Sequence, residues 1–543
     1  MSKLKIPIET RKKTFLTMVL ISAFIWSLFS VSWGSDLIHS GGKNAIAQII
    51  RSLFNPDLSE YVIKSALIAA WRTLVYAIAG MTLAIIIAFI LGILASGVLS
   101  NNRVILYISK GIFRGILGLM RAIHELVWAW LFVAAIGLTP YAAIFAIAIP
   151  YGGILGRIFA DILNDVPHEP IEALKSSGAS RLQILFYTYL PIAKTDMISY
   201  TMYRFECAVR SSTIMSFVGL GGLGFQIQLA LQDLNYSQAW TYMFFLLVLI
   251  VLIDFWSSLI RKDLVEGKSK LDFVKLSLIL LSLLIAISWL YIYVVEKADF
   301  ISLFSEKNAF YAKKFIKGMI GIGEESPAFL NMESWINIMK LTYETVQMSI
   351  MAIGFSTIGM ILTVIPASRN VANGTLTLNK RWYSWIIFWI CRFLYLFSRA
   401  VPELVWAMII IFILKPGILP GAIALALHNF GILGKLCSEV VEDLDLRPIR
   451  NLSSSGAGTG QILVYSVIPT VMQKFLTFIL YRWEVIIRTT IVVGFIGAGG
   501  LGMEFKLAMS YFKYSEITLI LIFYMILVIF ADLLSEGSRK LVE

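Results

Sequence analysis

From Thr14 to Trp33 the chain reads TFLTMVLISAFIWSLFSVSW, twenty residues without a charge. A helix of that length crosses a hydrocarbon core of roughly 30 Å, and within lipid every backbone amide must find its partner inside the protein. The run exceeds a signal-peptide core of about 7–15 residues and no small-x-small cleavage pattern follows it directly, so it reads as a retained anchor. Further apolar runs fall near 70–97, 124–139, 141–160, 196–218, 239–260, 274–294, 340–366, 384–414, 419–437, 474–496 and 516–534. With 58% of residues apolar, 15% charged and a mean hydropathy of +0.80, the expected fold class is an all-α integral membrane protein of about twelve transmembrane helices.

A net charge of +12 raises nucleic acid as a partner, but the basic residues sit in short flanks of the apolar runs, as in RKK at 11–13 and RK at 261–262 and 539–540. That distribution is the positive-inside pattern of a protein whose partner is the lipid bilayer, with no nucleic acid. Six spans per half bring every basic flank to the cytoplasm, including the segment RKDLVEGKSK at 261–270. Both termini are then cytoplasmic and the halves run in the same direction. The segment 295–338 falls outside and reads as a small outer cap; its Lys297, Lys307, Lys313, Lys314 and Lys317 are roughly balanced by Glu296, Asp299, Glu306, Glu324, Glu325 and Glu333. Cys207, Cys391 and Cys437 have neither disulfide nor metal-ligand spacing and read as small apolar side chains, with no metal site.

The halves are copies of one another. RAIHELVWAW at 121–130 matches RAVPELVWAM at 399–408 at seven of ten positions, and YRFECAVRSSTIMSFVGLGGLG at 203–224 matches YRWEVIIRTTIVVGFIGAGGLG at 481–502. Pro191 and Pro469, Asp254 and Asp532, and Arg261 and Arg539 keep the same spacing of 278. This is a tandem duplication: a first repeat at 1–262, a cytoplasmic hinge at 263–273 and a second repeat at 274–543.

Each repeat carries G-x-G-x-x-G, at Gly219, Gly221 and Gly224 and again at Gly497, Gly499 and Gly502. In a strand–turn–helix unit that spacing cradles a dinucleotide pyrophosphate. Here it follows an apolar helix that begins in the cytoplasm, which puts the glycines at the outer end of the span, where no such unit exists. They are expected to allow close helix packing and a turn of the chain.

Between the fourth and fifth spans, residues 160–191 form two short amphipathic runs separated by Gly178, a helix-turn-helix on the membrane face. Its E-A-L-x-x-x-G-A, with Glu172, Ala173 and Gly178, is followed by L-P ending at Pro191. This resembles the coupling motif of ATP-binding-cassette importer permeases. The second copy keeps Gly456, Ala457 and Pro469 but has Arg450 and Asn451 for Glu172 and Ala173.

Over nearly all of both halves the chain resembles the phosphonate-type permeases of the methionine-importer-like superfamily, through RAVPELVWA at 399–407, ALALHNFGILGKLCSEVVEDLD at 424–445 and YRWEVIIRTT at 481–490. The resemblance implies a type I ABC importer permease fold, two units fused in one chain, in a bacterial plasma membrane. It also implies two cytoplasmic ATPase subunits and an extracytoplasmic substrate-binding protein. ATP and magnesium would belong to those ATPases, this chain having no Walker A motif, no catalytic residue and no cofactor of its own. The open alternatives are an importer permease for another anion or small metabolite, such as methionine or a phosphorylated vitamin, and a secondary transporter, where parallel repeats also occur.

Buried ionisable groups are candidates for a translocation path, because each costs about 2.5–3.5 kcal/mol at a helix centre. At helical spacing Glu206 and Arg210, followed by Ser211 and Ser212, recur as Glu484 and Arg488, followed by Thr489 and Thr490. Guanidinium with hydroxyl donors suits a tetrahedral oxyanion, and the alternative is that each glutamate simply neutralises its arginine. Arg121 with Glu125, and Arg399 with Glu403, read as packing pairs. His124 and His428, with no matching histidine in the other repeat, read as hydrogen-bonded packing residues.

Overall fold

The computed structural model describes residues 8–542 apart from 32, 35, 36, 40, 101, 267–271 and 377–381. Positions 267–270 of the basic segment in the hinge therefore lie outside the described residues. The described chain is helical, and its only β pairing is an isolated bridge between Ile38 and Leu414. Eight of its helices are long and apolar enough to cross a membrane, beginning with Glu60–Ser96 and ending with Tyr514–Leu541, and three bent helix pairs raise the number to 11. The first apolar run forms the helix Ile8–Leu28.

Two expected spans differ from the sequence reading. The run at 384–414 is two helices, Tyr383–Ala400 and Glu403–Ile411, meeting at 93°. Pro402 lacks an N–H and disfavours the helical conformation at Val401, which is extended at ψ 122. The run at 124–139 is a helix of only 12 residues, Glu125–Ile136, preceded at 90° by Arg103–Ala122. There the break has no proline. His124 instead caps the second helix, its Nδ1 accepting the Leu126 N–H at 3.2 Å. The helix Arg103–Ala122 falls in no expected span because Arg103, Lys110, Arg114 and Arg121 dilute its hydropathy.

The chain forms two compact units, one of Ile49–Gly318 and one of Met1–Gln48 with Met319–Glu543. Each holds the body of one repeat together with the opening helix of the other. In the first, Asp272–Val294 packs on Glu60–Ser96, with Trp71 and Tyr291 edge to face, their centroids 6.4 Å apart. In the second, Ile8–Leu28 packs on Met332–Val364, with Phe24 and Phe355 centroids 5.4 Å apart. Within each unit the longest packed pair is equivalent, Glu60–Ser96 on Pro140–Asn164 and Met332–Val364 on Ile418–Glu442.

Candidate functional site: docking segments and buried polar clusters

The two candidate docking segments have closely similar backbones. His168–Ser176 ends before Gly178 at φ +81, and Arg447–Ser454 ends before Gly456 at φ +84. A Cβ on either glycine would meet nothing within 4 Å, so the left-handed backbone is what requires glycine there. A second short helix follows, Arg181–Ile184 or Thr459–Ile462, whose third residue caps it: Gln183 accepts the Ser180 N–H at 2.7 Å and Gln461 that of Gly458 at 2.9 Å. A single π turn, Leu185–Tyr189 or Leu463–Val467, then leads into the long helices Leu190–Met215 and Ile468–Gly494. Pro191 and Pro469 sit in their first turns, where the missing N–H removes no helical bond. Ile171 and Ile449 are buried anchors, while Glu172, Ala173, Arg450 and Asn451 are exposed and Ala457 is half-buried.

The glycine motifs lie at the far ends of those long helices. Gly219 and Gly221, like Gly497 and Gly499, have positive φ and turn the chain. Gly222 and Gly500, which the motif spacing leaves out, do the same at φ +98 and +66. The next amide is bonded across to a neighbouring helix: Leu223 N–H to Thr73 Oγ1 at 2.9 Å, and Leu501 N–H to Thr345 Oγ1 at 3.0 Å. Gly221 leaves room for the Arg72 guanidinium, and Gly224 and Gly502 let their helices approach the carbonyls of Thr213 and Ile491.

The paired charges form a four-membered cluster in each unit. Arg210 Nη2 lies 2.6 Å from Glu206 Oε1 and 3.2 Å from Asp254 Oδ1, and Arg261 Nη1 lies 3.7 Å from the other oxygen of Glu206. Arg488 bonds Glu484 and lies 3.0 Å from Asp532 Oδ1, with Arg539 3.6 Å from Glu484. All four positions repeat at 278, and two guanidiniums offset two carboxylates. The hydroxyls beside the arginines point elsewhere. Ser211 donates to Glu125 at 2.5 Å, Ser212 to the Thr73 carbonyl, and Thr489 and Thr490 to carbonyls of their own helix. Arg210 and Arg488 thus bond carboxylates through Nη2 while the adjoining hydroxyls bond other groups, and the buried Nε of each arginine has no hydrogen-bond partner among the described residues. Asp254 and Asp532 were visible only as repeated positions, with nothing to mark them as ligands of the arginines.

A second polar cluster surrounds each helix break. Glu125 and Glu403 open the helices after the breaks, and each has an imidazole beside it: His124 Nε2 at 3.5 Å and His428 Nε2 at 3.7 Å. The two histidines come from different places. His124 corresponds to Pro402 and Pro150 to His428, so each repeat has one histidine and one proline at these two positions, exchanged. His428 Nδ1 donates to the Val401 carbonyl at 2.9 Å. The surroundings differ too. Tyr151, Ser211 and Glu125 form a hydrogen-bonded chain in one unit, whereas the equivalent of Tyr151, Asn429, accepts from Arg482 Nε at 3.0 Å in the other.

A helical membrane protein made of two copies of one unit, each with the same exposed helix-turn-helix leading into a long helix that carries buried charges, is the architecture of a transport permease. The chain belongs to the family of binding-protein-dependent transport system inner membrane components, whose pattern it matches twice, at residues 90–266 and 371–543. It is similar to the phosphate-import permease protein PhnE of Mycolicibacterium smegmatis, 28% identical over 480 residues that cover 87% of this chain and 85% of that one. It is also similar to the phosphite transport system permease protein PtxC of Stutzerimonas stutzeri, 32% identical over 39% of this chain and 73% of that one. Among solved structures, an inward-facing form of the MetNI methionine ABC transporter is 22% identical over 38% of this chain and 99% of that one, with a TM-score of 0.34.

Proposed function

We propose that this chain supplies both permease units of an importer for a phosphorus oxyanion of the phosphonate, phosphate or phosphite class. Two ATPase subunits bind at the docking segments in the cytoplasm, where ATP and magnesium are used. An extracytoplasmic binding protein delivers the anion at the opposite face, with both termini of this chain cytoplasmic in a bacterial plasma membrane. The observation that carries the reading is the pair of exposed helix-turn-helix segments, closely similar in backbone in both repeats of a chain that aligns over 87% of its length with a phosphate-import permease.

Within this reading the neutral Arg210 and Arg488 clusters brace the long helices, and the polar groups at the helix breaks, Arg482 with Asn429 above all, are the candidates for anion contact. Arg482 presents a planar guanidinium of the kind that suits a phosphorus oxyanion. The test is uptake of radiolabelled phosphonate, phosphate and phosphite by cells of the source organism lacking this chain and complemented with it. Uptake that survives collapse of ion gradients and stops on ATP depletion supports the importer. Uptake driven by an ion gradient alone points to a secondary transporter, and uptake of none of the three anions removes the substrate class.

A further inference from the structure

Arg72 is the only charge between Ser65 and Ser96, inside the apolar helix Glu60–Ser96. An ionisable group in such a run is costly and marks a functional site by default. Its guanidinium lies against the Gly221 turn, where any Cβ would collide with it. Its Nε donates to Tyr76 Oη at 3.3 Å and its Nη2 to Glu296. Glu296 belongs to the strap at 295–300 that follows Asp272–Val294. The next residues hold that strap in place. Lys297 takes a left-handed φ of +51, which a long side chain adopts only under constraint, and Tyr141 donates its hydroxyl to the Ala298 carbonyl at 3.1 Å. The Tyr141 ring also meets Phe300, their centroids 5.7 Å apart. The Glu296 side chain is 8% exposed and that of Arg72 34%, so solvent reaches the arginine but hardly its partner.

The second unit has no such seat. Thr345 bonds the amide after its glycine turn as Thr73 does in the first, yet the residue before it is Glu344, which accepts the Gly500 N–H at 3.3 Å. Bracing alone does not account for Arg72, because Tyr141 already fastens the strap and the equivalent turn closes without a guanidinium. We infer that Arg72 is a receiving site for a phosphorus oxyanion, at the end of the first unit remote from its candidate docking segment, and that Glu296 occupies the site until the anion arrives. The inference rests on the proposed function, which supplies the ligand class. A guanidinium fork offers a tetrahedral oxyanion the same N–H donors that it offers a carboxylate. The anion replaces Glu296 on Arg72, the arginine stays paired throughout, and the freed carboxylate moves to water with the strap. Because the strap competes, the apparent affinity is the intrinsic one reduced by the fraction of chains whose strap is away. Weak holding suits a station from which the anion must move on.

The experiment follows the melting temperature of the purified full chain in mild detergent as inorganic phosphate replaces chloride at constant ionic strength, with phosphatidylglycerol micelles as a separate arm. Glu296→Gln removes the competing carboxylate and is expected to lower the half-maximal phosphate concentration about tenfold or more, the range for a charged hydrogen bond. Tyr141→Phe loosens only the Ala298 end of the strap and is expected to lower it about fivefold, the worth of one neutral hydrogen bond. It carries the test where Glu296→Gln fails to accumulate. Adding Arg72→Gln to either form is expected to abolish the gain. If the strap variants respond as the unaltered chain does, or the gain survives Arg72→Gln, the inference is overturned while the importer reading stands on its uptake assay. An Arg72-dependent shift with phosphatidylglycerol and none with phosphate also overturns it, since the seat then belongs to a lipid headgroup. Failure of the proposed function is read separately, as uptake of none of the three anions by complemented cells.

Discussion

Asp532 Oδ1 lies 3.0 Å from Arg488 Nη2, joining two helices whose contact residues are 44 positions apart in sequence. The same nitrogen holds Glu484 one helical turn away, so a single guanidinium bridges two carboxylates with only 15% of its side chain exposed. Taking such charges out of water is tolerable only while each has its partner.

Arg488→Gln would leave Glu484 and Asp532 facing each other with only Arg539 nearby. The expected cost is about 3–5 kcal/mol, the range for removing one member of a buried pair. In detergent this is read as a lower melting temperature and reduced membrane accumulation, with Arg488→Lys intermediate because it keeps the charge and loses the fork. A Gln form that folds and accumulates normally but has lost anion uptake would return Arg488 to the translocation path.

Gly178 and Gly456 allow a sharper test, since no neighbour crowds them and only their φ is unusual. Leucine at either position would cost about 1–2 kcal/mol of backbone strain and reshape an exposed turn, whereas asparagine tolerates the left-handed region. Gly178→Leu is expected to lower uptake per ATP hydrolysed while the chain still reaches the membrane, and Gly178→Asn to retain coupling. ATPase assays on reconstituted vesicles, run beside uptake, decide this. Unchanged coupling in Leu forms of both glycines would count against docking at these turns.

Thr345 supports a different element. Its hydroxyl is the partner of the buried Leu501 N–H at 3.0 Å, just after the glycine turn. Thr345→Val keeps the volume and removes the acceptor, at a cost of about 1–3 kcal/mol for a stranded buried donor. Amide exchange at Leu501 should quicken relative to the rest of Gly500–Ser510. If protection there is unchanged, the threonine does not anchor the turn.

The duplication and the paired short helices around Gly178 and Gly456 were legible in the sequence because both are local: the spacing of 278 recurs in contiguous strings, and Gly178 with Pro191 marks its helices with ordinary stop and start signals. The helix breaks were not. The run at 384–414 stays apolar overall despite Arg392, Arg399 and Glu403, and only Pro402 signals the turn, while its counterpart His124 acts through a cap that no apolar pattern records. The pairing of Arg210 with Asp254 joins residues from separate spans, and helical spacing reveals only the Glu206 side of that cluster. The exchanged opening helices were hidden for a related reason. The apolar character of Ile8–Leu28 tells that it enters lipid, and the shape of Phe24 against Phe355 decides where it packs.

Glu504 supplies a pH-dependent test outside the spans. Burial, with a hydrogen bond to and repulsion from Glu516, raises its carboxyl above the ordinary range near 4.5. A carboxyl whose folded-state affinity for protons is raised is favoured in its neutral form, so its contribution is fully present below the unfolded value and is lost as pH rises through the folded one. As pH rises through the folded-state value, the ionised group therefore weakens the fold. Glu504→Gln is expected to raise the melting temperature of the purified chain at pH 8 and to change it little at pH 4, where the native carboxyl already carries its proton. An equal gain at both pH values would mean that packing, not charge, governs this position, and a loss at pH 8 would mean that Lys513, the nearby cation, outweighs Glu516.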